Sequence, residues 1–175
     1  MSDPFVPLVI ILFLILLNAL FAGTEIAVLS MREGQLQRVQ DKGERGRRLA
    51  ALARDQTRFL STIQIGINIV ATLSAIVASR SLTESLADAL GFLGRAAEGV
   101  AIGITTIGLT YVTIVLGELV PKRLAVQRAE AWGLKAAGPV GVLATISRPL
   151  VWLLGRSTDV IVRLLGFDPT PARRR

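Results

Sequence analysis

Gly117-Glu118-Leu119-Val120-Pro121-Lys122 closes a long apolar stretch that begins near Val100. A carboxylate inside a membrane span costs about 3 kcal/mol or more at mid-depth, so one that persists normally faces a polar cavity and has a function there. Pro121 has no backbone N–H to donate and its ring crowds the turn before it, which loosens carbonyls around Gly117 beside the carboxylate. Freed carbonyls and a carboxylate make an oxygen-rich site of the kind hard cations require. A plainer reading stands next to it: Glu118 and Lys122 have the i, i+4 spacing of a helical ion pair.

Composition sets the class. In 175 residues, 51% are hydrophobic and mean hydropathy is +0.56, which describes an integral membrane protein. There is no cysteine and no histidine, so disulfides, thiolate or imidazole metal sites, Cys/His catalysis and histidine switching are excluded together. Any metal site must be built from oxygen. The net charge of +7 does not point to nucleic acid, because the basic residues cluster beside apolar spans. There they mark the cytoplasmic side and attract anionic lipid headgroups.

Working outward, the first apolar run starts at Phe5 and continues through Asn18 and Glu25 to Ser30, one helix long enough to cross a bilayer with tilt. A signal peptide fits less well, since the run has no basic n-region and continues past any small-residue cleavage site. Asn18, Ala22, Glu25 and Leu29 share a face of this helix. From Met31 to Arg58 eight basic residues fall in one connection, which is cytoplasmic by the positive-inside rule. Leu36 with Val39, and Leu49 with Leu52, predict two short amphipathic helices there, punctuated by Gly43 and Gly46.

The second span, Phe59 to Ser79, holds no charge but carries Ser61, Gln64, Asn68 and Thr72 on one face. Such a stripe either lines a site or bonds to another helix, and as packing glue it is worth only about 1 kcal/mol. Ala71, Ala75 and Ser79 form a small-residue stripe that lets another helix approach. Between Arg80 and Gly99 two basic residues stand against three acidic ones, so this connection is external. Ser81 with Glu84 reads as a capping box opening a short surface helix that ends at Gly91.

The third span runs from Val100 to Val120, with Thr106, Thr110, Thr113 and Gly117 along one face. Lys122, Arg123, Arg128 and Lys135 place its end inside. Counted inward from the basic flanks, Glu25, Asn68 and Glu118 lie about 5 to 15 Å below the inner surface. Three polar groups from three helices at one level favour a shared site over independent packing roles. Ala136 to Phe167 is interrupted by Pro139, Arg148, Pro149, Arg156, Asp159 and Arg163, and reads as juxtamembrane helices broken at Pro149, with Asp159 and Arg163 paired on the wet face.

Phe21-Ala-Gly-Thr-Glu-Ile-Ala, Thr62-Ile-Gln-Ile-Gly-Ile-Asn and Gly117-Glu-Leu-Val-Pro-Lys together resemble, collinearly and over nearly the whole chain, the transmembrane domain of the CorC and cyclin M (CNNM) magnesium transporter family. The resemblance implies an all-α integral membrane domain with three transmembrane helices, cytoplasmic-side short helices and a juxtamembrane belt. It further implies a homodimer in the cell membrane, with the N-terminus outside and the C-terminus cytoplasmic, that exports Mg2+ in exchange for Na+. Carried residue by residue, it implies magnesium held by Glu118, the carbonyl of Gly117, Asn68 and a first-span group, either the hydroxyl of Thr24 or a backbone carbonyl near Ala22. Glu25 is the second carboxylate available within the spans. Residues 1–167 form the ion-transport domain on this reading, and 168–175, with Asp168-Pro169-Thr170-Pro171, form a linker toward the family's cytoplasmic portion of paired CBS modules and a further small domain. The chain is then the membrane piece of a longer protein.

A second function class, a membrane-anchored magnesium sensor or regulator that moves no ion itself, uses the same ligands. An intramembrane enzyme is not expected, because the spans carry no Ser–Lys or paired-Asp arrangement.

Overall fold

The computed structural model describes residues 5–167, apart from the Leu52 side chain. The 168–175 linker and the terminal arginines therefore lie outside the described residues. In order, the helices are α1 (Phe5–Ser30), α2 (Glu33–Gln40), α3 (Glu44–Arg54), α4 (Gln56–Ala89), a 3-10 segment (Gly91–Ala96), α5 (Ala97–Ile114), a π-helical turn (Val115–Leu119), α6 (Val120–Gln127), α7 (Ala129–Ile146) and α8 (Arg148–Leu164). No strand occurs among the described residues.

Three helical stretches are long and apolar enough to cross a membrane: Phe5–Ser30, Gln56–Ala89 and Gly91–Gln127. Helices α7 and α8 pass the same test only as a pair, bent by 62°. Exposed Leu12, Phe13 and Leu16 on α1, and Ile107 and Tyr111 on α5, are what a lipid-facing surface requires.

The main core lies toward the end of the bundle where α2, α3 and α7 pack against α1 and α4. Phe21, Val28, Leu36, Val39, Leu49, Phe59, Ile63 and Val140 are buried in it. The two amphipathic helices thus form where the apolar pairs place them, with Leu36, Val39 and Leu49 turned inward. Gly43, at φ 97°, makes the turn between them in a conformation that favours glycine. Gly46 does not punctuate: it lies inside α3, where an added methyl would run into the Val39 carbonyl. A smaller cluster, Ile11, Ile15 and Ala78 with Val77, Leu82 and Leu109 against it, joins α1, α4 and α5.

Two expectations need correction. The connection after the second span holds no separate helix capped by Ser81, because α4 runs unbroken to Ala89 and the Ser81 hydroxyl donates back to the Val77 carbonyl at 2.7 Å. Serine inside a helix can satisfy itself on the previous turn, so the Ser-x-x-Glu pattern does not start one. Asp159 and Arg163 make no ion pair among the described residues, although their spacing permits it. Near the expected break the chain bends at Ser147, with Pro149 in the first turn of α8, where its missing N–H is harmless. Pro139 stays within α7.

Candidate cation site

The π-helical turn sets the geometry. Val120 donates its N–H to the Val115 carbonyl, five residues back, instead of four. Pro121 follows without an N–H, so the Gly117 carbonyl receives no bond from its normal i+4 donor. Helix α1 supplies the missing partner: Asn18 Nδ2 donates to Gly117 O at 3.1 Å, both groups being buried. A methyl at Gly117 would stand 3.1 Å from Asn18 Nδ2, so the residue that bears the freed carbonyl is also small enough to admit the amide. Asn18 Oδ1 is buried with no protein partner, as is Thr62 Oγ1.

Further along the same two helices, Lys122 Nζ lies 2.7 Å from Glu118 Oε1 and 3.5 Å from Glu25 Oε2. The two carboxylates thus come from different spans and share one ammonium. Their side chains are 45% and 20% exposed and that of Lys122 is 28% exposed, so the cluster sits at a partly open edge of the bundle. Charges in such a place are costly singly and tolerable together, since each carboxylate gains a counter-charge without full desolvation.

The candidate residues separate into those the fold joins and those it does not. Glu25 and Glu118 meet through Lys122, and Gly117 is held by Asn18. Thr24 is fully buried and its hydroxyl donates to the Leu20 carbonyl at 2.6 Å, a bond inside its own helix. Trp132 Nε1 reaches the same carbonyl at 3.4 Å, and its ring lies over Gly23, where any side chain would collide with it. Asn68 is exposed and its Oδ1 accepts from Gln64 Nε2 at 3.3 Å. No hydrogen bond among the described residues joins Asn68 to Glu118, Gly117 or Thr24. Its level nonetheless matches: a methyl at Gly66 would stand 3.1 Å from the Phe21 ring. Because α1 and α4 run in opposite directions, Asn68, two residues on from Gly66, sits at the level of Ala19, next to Asn18 and hence close to the level of Gly117.

The contact of Asn18 with Gly117 and the bridging position of Lys122 are the features of the candidate site that the sequence alone does not assign. A signal for Asn18 is present, since it shares a helical face with Glu25. For Lys122 the i, i+4 spacing gives Glu118 but not Glu25, which depends on how α1 and α6 pack.

Comparison with known proteins gives a consistent answer. Residues 9–175 match the family model described as Cyclin M transmembrane N-terminal domain. A UPF0053 protein, sll0260, of Synechocystis sp. is 37% identical over 93% of this chain and 37% of its own length. The UPF0053 protein YhdT of Bacillus subtilis is 28% identical over 93% of this chain and 36% of its own. A Haemophilus influenzae protein described as a polyamine export protein is 31% identical over 90% of this chain and 37% of its own. The chain therefore spans little more than a third of the length of these relatives.

Proposed function

The chain belongs to the cyclin M transmembrane family, and from that premise we propose that this multi-pass membrane domain carries Mg2+ across the membrane, outward and in exchange for Na+. The observation that carries the reading is the pair of carboxylates, Glu25 and Glu118, gathered on one cation beside the freed carbonyl of Gly117. All groups available to an ion there are oxygens, which suits a hard divalent cation. The orphaned Asn18 Oδ1 adds one more buried oxygen at the level of Gly117.

In this state Lys122 stands where a cargo cation would stand. Two carboxylates from neighbouring helices repel in a poorly solvated setting, so an empty site needs a resident positive charge. Arrival of Mg2+ releases the ammonium, and departure of the ion lets it return. Glu118 supplies the first full charge, Gly117 its carbonyl, Glu25 the second charge, and Asn68 and Thr24 are neutral ligands that must turn toward the ion. Sodium would use the same oxygens at longer distance.

Copies of the chain pair through the face of α4 that carries Ala71, Ala75 and Ser79, all exposed in the single chain and small enough for close helix contact. The N-terminus lies outside and the C-terminus in the cytoplasm, a reading supported by the basic connection at residues 31–58. Because the chain has no cysteine, Ser157→Cys labels only from the cytoplasmic side on this topology, and labelling from outside intact cells would overturn it.

A second reading has its own support. The site already holds a primary alkylammonium, that of Lys122, and a relative bears the description polyamine export protein. Titration of the purified chain with magnesium chloride and with spermidine separates the two cargoes. Flux in liposomes, with and without a sodium gradient, separates a transporter from a sensor: tight magnesium binding without flux would establish the sensor.

A further inference from the structure

On the face formed by α3, the start of α4 and the α7–α8 bend, Arg48, Arg58 and Arg148 line a single cavity of about 500 Å³ with Asp55, Ala144 and Thr145. The lining carries three arginines and one carboxylate. Asp55 is partly used as the cap of α4, accepting from the Arg58 backbone N–H at 3.2 Å. Arg48 is tied to Glu44 at 3.0 Å, whereas the guanidinium groups of Arg58 and Arg148 make no ion pair among the described residues. Side chains from three helices thus converge with uncompensated positive charge in a space many times larger than a phosphate ion. Guanidinium groups left without carboxylates match phosphate oxygens in charge and planar fork geometry.

The surroundings decide the source of the phosphate. Arg148 opens α8, and Ile146, Leu150, Leu153 and Leu154 around it are exposed apolar side chains, with Trp152 exposed among them. That is the surface acyl chains cover, and an exposed tryptophan beside arginine is typical of the membrane–water boundary. A free phosphate has no use for it. We propose that this cavity is a discrete headgroup site for an anionic phospholipid, with Arg58 and Arg148 gripping the phosphate, Arg48 at the rim and the acyl chains along α8. It differs from diffuse attraction of a basic loop to anionic lipid, because one lipid molecule would join α3, α4 and the α7–α8 bend. It does not depend on which cation the domain carries.

The test uses the purified chain in mild detergent, with lipid adducts counted by native mass spectrometry. Dioctanoyl phosphatidylglycerol should bind at one site per chain, with dioctanoyl phosphatidylcholine and inorganic phosphate at least about tenfold weaker. Arg58→Gln with Arg148→Gln should cost at least about tenfold in phosphatidylglycerol affinity, while Arg45→Gln with Arg123→Gln, the same change of charge at exposed positions outside the cavity, should cost nothing. Should the first pair of substitutions impair folding, Arg148→Gln alone, exposed and unpaired, serves in its place and should cost several-fold. Equal binding of the two lipids, equal loss in the Arg45/Arg123 control, or wild-type affinity in the cavity variants would overturn the site. Inorganic phosphate binding as tightly as the lipid would overturn the lipid as its occupant.

Discussion

At the end of the third span Glu118 meets Lys122 and, through it, Glu25 of the first, whereas in the second span Gln64 and Asn68 turn to each other and stand exposed. The difference follows from charge. A carboxylate next to lipid cannot stay unpaired, so the fold supplies an ammonium between the two helices that carry carboxylates. An amide costs far less to leave half-satisfied, so a helix can hold one outward, where it remains available to an ion, water or a second chain. One stretch therefore stores a cation of its own and the other stores unused valence. On the proposed function, binding of Mg2+ converts the first into a state resembling the second by freeing Lys122, and draws Asn68 in.

The largest expected effect breaks the first stretch at its anion. Glu118→Gln keeps shape and removes the charge, and the chain should remain folded and paired. Magnesium binding by isothermal titration should fall by about a hundredfold or more, the equivalent of roughly 3 kcal/mol for a charged ligand. Full-strength binding by this variant would remove Glu118 from the site.

Next comes the resident cation. Lys122→Met leaves Glu25 and Glu118 facing each other, and without magnesium the melting temperature should drop by the equivalent of about 1–3 kcal/mol, reduced from the fully buried case because the cluster is partly exposed. Magnesium should restore the loss and should bind more tightly than to the wild type, having no internal competitor. If Lys122 were only a structural partner, the drop would remain at any magnesium concentration and affinity would not change. That outcome would end the displacement mechanism.

The second stretch answers to Asn68→Ala. A neutral ligand can be replaced by water, so magnesium affinity should weaken by about three- to tenfold, with little change in stability because Asn68 is exposed. A melting temperature that falls with affinity unchanged would mean that the amide serves packing between chains.

How far these contrasts are legible in the sequence depends on the kind of interaction. Span positions follow from apolar length, and α2 and α3 from apolar spacing, since both signals are local. The loosened carbonyl of Gly117 is legible too, because Pro121 removes a donor wherever it stands in a helix. What the residues do not show is the azimuth of each helix. Asn68 lies close to the level of Asn18 and Gly117 but faces outward, and spacing along one helix carries no information on which neighbour it meets. Glu25 and Lys122 are nearly a hundred residues apart, so their contact rests on packing of α1 against α6. Ser81 misleads for the opposite reason: its local pattern marks a helix start only where the helix before it has a reason to stop, and α4 has none.

The smallest effect sharpens the comparison from the wet side. Glu130, at the start of α7, accepts from Arg38 of α2 at 2.8 Å and lies 3.6 Å from Lys42. The Arg38 hydrogen bond, helped by the charges of Arg38 and Lys42, holds its carboxyl below the usual value of 4.5. A carboxyl depressed in the folded state binds fewer protons than the unfolded chain does between its folded pKa and 4.5. The stabilising contribution is therefore fully present above that usual value and disappears as pH falls through the lower, folded one. The pair is exposed on the arginine side, so water and salt screen it in a way the Glu118–Lys122–Glu25 cluster is not screened. Glu130→Gln should lower the melting temperature slightly at neutral pH and low salt. The gap from wild type should close on acidification below the carboxylate range, and close equally at high salt, whereas the loss caused by Lys122→Met should respond to magnesium and much less to monovalent salt. Thermal unfolding of both variants across pH and salt measures this directly. If Glu130→Gln kept its full deficit in high salt, the α2–α7 contact would be as shielded as the site between the spans, and the distinction between a solvated pair and a membrane pair would be lost.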